Sequence, residues 1–304
     1  MSRRAWVLFA MMSIIWGIPY LLIKVAVGGV SAPVLVFGRT LIGAVILLPI
    51  ALRGGQLGLV ARHWRTVAVF AAVEILGPWF LLSDAERRLS SSTTGLMIAA
   101  VPIIGVVIAR LAGGTERLGP VRWTGLGIGL AGVAVLAGPH LTGGDAMSFG
   151  EVLLVAVGYA LAAFVADRYL RDVPSIPLTA ACLTGSALVY APSAALTWPH
   201  SMPSGKVLAS IAALGLICTA LAFVVFLALV RETGPSRAML FTYVNPAVAV
   251  AAGVALLGES FTALIAVSFA LILVGCALAT RPSPGTPDTP ESVADQIDEQ
   301  APAW

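Results

Sequence analysis

Three charged residues fall inside long apolar runs, Lys24, Arg39 and Glu74. An ionised side chain at bilayer depth costs about 2.5–3.5 kcal/mol on insertion scales, so each should face protein or a water-filled cavity. Glu74 is followed four residues later by Pro78, which has no N–H to return to the Glu74 carbonyl. A carboxylate beside an opened backbone turn can hold a proton or the cationic group of a solute. The same residues also make an internally satisfied kink, and both readings stand. Arg39 begins roughly 10 Å inside its run at 1.5 Å per residue. Hydrogen bonds to carbonyls would satisfy it, and so would an ion pair with Glu74, which lies at a similar depth on the next run. Trp16, Tyr20 and Lys24 recur every four residues and share one helical face. Pro19 interrupts that helix, so the stripe suits a cavity wall. Packing of the two aromatics, with Lys24 reaching the membrane surface, uses the same residues.

Aromatic and polar residues gather in the later runs. Phe241, Tyr243 and Asn245 precede Pro246, and Met97 holds the place of Phe241 ahead of Pro102. Phe223 and Tyr159 add apolar walls from two further runs. Aromatic walls with a few polar groups fit a small-molecule cavity, and they also fit ordinary helix packing. The expected solute-binding set is therefore Trp16, Tyr20, Lys24, Arg39, Glu74, Met97, Tyr159, Phe223, Phe241, Tyr243 and Asn245.

No enzyme signature accompanies them. His63, His140 and His200 are scattered, no metal-ligand pair stands at helical spacing, and there is neither a Gly-x-Ser-x-Gly elbow nor a phosphate loop. Cys182, Cys218 and Cys276 sit in apolar runs and read as small fillers. The expectation is a protein with no catalytic residues, metal or cofactor.

The elements that must position these residues follow from composition. The chain is 59% hydrophobic and 11% charged over 304 residues, against about 25% charged in soluble domains. A net charge of +3, carried in short connections, does not point to nucleic acid. A spanning helix needs about 20 apolar residues. Ten such runs are predicted at 5–27, 32–52, 66–84, 91–112, 122–139, 150–169, 178–198, 207–230, 236–257 and 262–280. Ser148 with Glu151 predicts a capping box opening the sixth. Gly125 and Gly129 predict close helix packing in the fifth. The run at the N-terminus is too long for a signal peptide and reads as the first span.

The chain repeats itself. Pro102 and Glu116 in the first half correspond to Pro246 and Glu259 in the second, with apolar runs between and after them. Two five-helix units, 5–139 and 150–280, must then run in opposite directions through the bilayer, the inverted-repeat plan of many secondary transporters. With the N-terminus in the cytoplasm, thirteen of the eighteen lysines and arginines fall on the inner side. Only Arg87, Arg88 and Lys206 fall on the outer side, so both termini are expected inside. Residues 281–304, rich in proline and acid, read as a disordered cytoplasmic tail.

Trp16-Gly17 with Lys24 downstream, Phe37-Gly38-Arg39, and the Pro…Gly-Glu plan ending each half resemble the EamA-type transporters of the drug/metabolite transporter superfamily. The resemblance covers roughly 5–280. The first half departs from the plan with Gly114-Thr115-Glu116, and the seventh run has no arginine matching Arg39. Glu74 is not a general mark of the family. The resemblance implies an all-α membrane protein of ten transmembrane helices as two inverted repeats, with a cavity between the halves. It implies a plasma-membrane exporter or exchanger of small metabolites, amino acids or drugs by alternating access. The partners would be a small solute and the lipid bilayer, with protons a candidate coupling ion. A membrane-embedded enzyme or sensor without transport is the alternative; solute flux discriminates them.

Overall fold

The computed structural model describes residues 2–112, 119–142, 145–234 and 238–279. Among them all regular structure is helical. Eight apolar helices are long enough to cross a membrane, namely α1 Arg3–Ala26, α2 Ala32–Arg53, α3 Trp64–Ala85, α4 Ser91–Leu111, α5 Pro120–Ala137, α6 Ala146–Tyr169, α7 Ser175–Leu196 and α8 Gly205–Thr233. Two shorter apolar helices follow, α9 Phe241–Leu257 and α10 Ala263–Ala279. The expected tail at 281–304 and the turn carrying Glu116 lie outside the described residues.

Several helices are interrupted where the sequence carries proline. The first segment of α1 stops at Ile15 and a new one starts at Pro19. The first segment of α4 stops at Ile98, and the next carries Pro102. A 3-10 turn over Met239–Tyr243 leads into the helix Asn245–Leu257, with Pro246 in its first turn. In α3 and α8 the interruption is a π-turn, over Ala72–Leu76 and Leu216–Leu221. The two π-turns stand at the same offset that separates Pro102 from Pro246, so the interruptions of α3 and α4 return in α8 and α9. The expected capping box at Ser148 is not formed. Helix α6 starts earlier, at Ala146, and the Ser148 hydroxyl instead accepts from Arg88.

The packing follows the same exchange of halves. Helix α2 lies along α7, α5 along α10, and the first segment of α4 along α9; α3 packs on α6 as α8 packs on α1. The α5–α10 seam is close because it is built on glycine. A side chain at Gly125 or Gly275 would run into the opposite helix, and one at Gly129, which itself lies against Gly275, would strike Ile103 of α4, close packing of the kind the small-residue spacing predicts.

The turns separate to two ends of the bundle. At one end the Ser31 and Thr197 hydroxyls are 2.7 Å apart, Arg87 donates to the Val30 carbonyl, and Glu259 meets Ser91 and Ser92. Serines cap three helices that start here, Ser31 on α2, Ser90 on α4 and Ser204 on α8. At the other end Ser2 donates to Glu232 and His63 pairs with Asp172.

Candidate functional site

The expected site residues divide into two groups and a remainder. The first group surrounds Arg39. This residue is buried, at 4% exposure. It forms no ion pair with Glu74, which corrects the expectation of a paired charge. Its guanidinium carbon lies 3.5 Å from the centroid of the Trp79 ring, and its Nε has no hydrogen-bond partner. The π-turn explains the change. It inserts a residue into the α3 spiral, so residues beyond it rotate relative to a regular helix. Trp79, beyond the turn, meets Arg39. Glu74, inside it, is half-buried and acts electrostatically on Tyr159 of α6 and Cys182 of α7. The Tyr190 hydroxyl of α7 donates to the Leu76 carbonyl at 2.6 Å and satisfies one acceptor of the disturbed turn.

Tyr20 and Tyr159 complete this group. Both are half-buried, both pack with Trp79 around one apolar cluster, and both feel the charge of Arg39. Tyr20 also lies against α4, where a side chain at Gly95 would press on its ring. Lys24, one turn on, is half-buried. Its ammonium donates to the carbonyls of Glu86 and Leu89 at 2.6 and 2.8 Å, fastening α1 to the α3–α4 turn.

The second group is aromatic. Trp16 stands 5.3 Å from Phe241, 5.6 Å from Phe226 and 6.3 Å from Phe223, ring centre to ring centre. Helices α1, α8 and α9 thus meet at the break in α1, on edge-to-face and tilted ring contacts. Asn245, oriented with its amide nitrogen toward the backbone, donates to the Phe241 and Ser13 carbonyls at 3.1 and 3.2 Å. Those carbonyls border the interruptions in α9 and α1, so the amide stands in for helical donors lost there. Phe241 is fully buried here and packs as core.

Met97 and Tyr243 join neither group. They belong to a third cluster with α5, α6 and α10, where Met97 is 2% exposed. A hollow of about 330 Å³ beside α2 and the α7–α8 turn, lined by Val30, Gly38, Trp198 and Ile211 among others, includes none of the expected residues.

Three residues escaped the sequence reading. Trp79 was hidden because a tryptophan after Pro78 reads as packing. Glu86 stands in sequence beside Arg87 and Arg88, yet it is fully buried and neither carboxylate oxygen has a hydrogen-bond partner. Lys24, Glu259 and Arg39 are the charges that act on it. Its signal was present, since Glu74, Pro78, Leu82 and Glu86 recur every four residues. Glu259 was seen only as a repeat marker. Its carboxylate accepts from Ser91 N at 2.7 Å, Ser91 Oγ at 2.9 Å, Ser92 N at 2.9 Å and Ser92 Oγ at 2.5 Å. Burial acts to raise its pKa, but the bonds from Ser92 and Ser91 outweigh burial and hold it below the usual carboxylate range.

The arrangement offers buried charges and amphipathic rings between the two halves. Among the described residues no group of His, Cys, Asp or Glu could hold a metal ion.

Known proteins agree with this architecture. The profile of the EamA-like transporter family matches residues 4–138 and again 149–281. The uncharacterized inner membrane transporter YedA of Escherichia coli strain K12 is 27% identical over 231 residues, covering 73% of each chain. Its counterparts in strains O6:H1 and O157:H7 match equally. A solved crystal structure, 23% identical, superposes with a TM-score of 0.66 over 91% of this chain and 96% of its own, and so shares the fold. With both halves matched by its profile, the chain belongs to the EamA-like transporter family and is a membrane transporter.

Proposed function

We propose that the protein is a secondary transporter that exports a small organic solute, in the range of metabolites, amino acids and drugs, across the plasma membrane by alternating access. Its ten apolar helices cross the bilayer as two inverted units, 5–139 and 150–280, with both termini in the cytoplasm. The charge asymmetry of the connections supports that orientation.

The observation that carries this reading is the Arg39 guanidinium, buried, unpaired and stacked on Trp79 between the halves. A fixed unpaired cation of this kind is a functional group by default in a membrane protein. Around it Tyr20, Lys24, Glu74 and Tyr159 supply charge and hydroxyls, while Trp16, Phe223, Phe241 and Asn245 supply an aromatic wall from the break in α1. Met97 and Tyr243 enter the path when the α4 and α9 breaks move. Glu74 holds the coupling proton, because it is half-buried and no ion pair neutralises it.

The test is flux. Purified protein in proteoliposomes is loaded with amino acids, nucleosides or drugs and given a pH gradient. Movement of at least one solute above empty vesicles is expected. Glu74→Gln should fold and lose the pH dependence of that flux. Product formation from a solute without its movement would overturn the reading in favour of an enzyme, and neither result in favour of a sensor.

A further inference from the structure

Both repeats hold the α3–α4 turn. From the first repeat, Lys24 donates to the Glu86 and Leu89 carbonyls. From the second, Glu259 caps the start of α4. A helix start leaves its first N–H groups without partners. Here Ser91 N and Ser92 N are satisfied by Glu259 and Thr93 N by Ser90 Oγ. The carboxylate also complements the positive end of the helix dipole.

The contact is built from both sides. Gly258 ends α9 in the left-handed conformation, φ 68°, and Glu259 N returns to the Gly253 carbonyl at 3.2 Å. That reversal directs the Glu259 side chain back over Gly253. A side chain at Gly253 would strike Glu259 Oε2 and the Ser91 and Ser92 hydroxyls, so the glycine makes room for the carboxylate.

We propose that Glu259 with Ser91 and Ser92 is a releasable clamp, the contact between repeats that closes this end of the transporter and must break when this end opens. The inference rests on the alternating-access reading. Two features distinguish the clamp from static packing. It joins residues of opposite repeats, which must separate at one end in each half-cycle. It is also made of hydrogen bonds at a half-exposed carboxylate, where water can replace each bond as it breaks. Apolar burial of the kind that joins α5 to α10 has no such replacement.

The test needs no solute. Thr94 is fully buried one turn inside the clamp on α4, and Thr94→Cys serves as a reporter. A membrane-impermeant maleimide is applied to the side of the membrane that bears the clamp. The buried Cys182, Cys218 and Cys276 define the background without the reporter. Adding Glu259→Ala should raise the labelling rate about tenfold or more, the shift expected when one charge-assisted hydrogen bond is lost from the closed state alone. Glu259→Gln, of the same shape but without the charge, should raise it less, and Glu259→Asp least. Unchanged labelling in folded Glu259→Ala and Glu259→Gln would overturn the proposal. So would failure of both to give a monodisperse protein, because the clamp would then serve folding alone. Faster labelling in a protein that carries no solute would leave the clamp standing and refute transport.

Discussion

The Arg39 guanidinium carbon sits 3.5 Å from the centre of the Trp79 ring. The cation is buried, with Tyr159 of α6 and Cys218 of α8 acting on it from the second half, yet it pairs with no carboxylate. Stacking on a ring contributes about 2 kcal/mol when desolvated, which does not offset the several kcal/mol needed to bury a charge. A residue that costs stability where it sits is one retained for another purpose.

Arg39→Met should therefore stabilise the fold while removing function. Replacing a buried charge by an apolar side chain of similar volume is worth about 1–4 kcal/mol in favourable cases. The thermal midpoint of the detergent-solubilised variant should rise, and its solute flux should fall at least tenfold. A lowered midpoint would mean that Arg39 is structural.

The glycine seam should tolerate no bulk. Gly125→Leu would force α5 from α10 at Leu278 and Ala279, with a loss of about 1–3 kcal/mol from overpacking. Gly127 lies on the same helix with nothing near its missing side chain, so Gly127→Ala should leave the folded yield unchanged. Size-exclusion profiles of the two variants check this.

The pH dependence of the clamp follows from the lowered pKa of Glu259. A carboxylate whose folded pKa is depressed adds stability above its ordinary value, and loses it as pH falls through the lowered one. The thermal midpoint of wild type minus that of Glu259→Gln should thus stay constant from about pH 8 to pH 5 and shrink below about pH 4. Glu86 faces the same turn and feels the charge of Glu259, so the comparison is made in a Glu86→Gln background. A difference that grows in acid would reverse the sign and refute the assignment.

Orientation can be read with two cysteines at opposite ends of the bundle. Met202, 83% exposed in the α7–α8 turn, becomes Met202→Cys, and exposed Glu232 at the end of α8 becomes Glu232→Cys. In intact cells an impermeant thiol reagent should reach the first and miss the second. The opposite pattern would invert the assigned topology.

Much of the fold is legible in the chain because a bilayer imposes local rules. Apolar length marks each helix, Gly and charge mark the turns, and Pro19, Pro102 and Pro246 mark breaks that the structure contains. The glycine seam was legible too, since Gly125 and Gly129 fall on one face whatever packs there. What stayed hidden depends on partners far along the chain. Equal depth suggested that Arg39 would meet Glu74, but the π-turn over Ala72–Leu76 shifts the helical face and delivers Trp79 instead. A regular periodicity cannot anticipate an inserted residue. Glu86 reads as a surface charge beside Arg87 and Arg88 until α1 and Lys24 close over its turn. Glu259 reads as a loop residue until folding brings Ser91, 168 positions away, under its carboxylate. Sequence determined which segments form apolar helices and which charges they carry. Tertiary structure alone decided which charge faces which group, because hydrogen bonds and ring contacts act over a few ångströms between helices whose rotation no single helix sets.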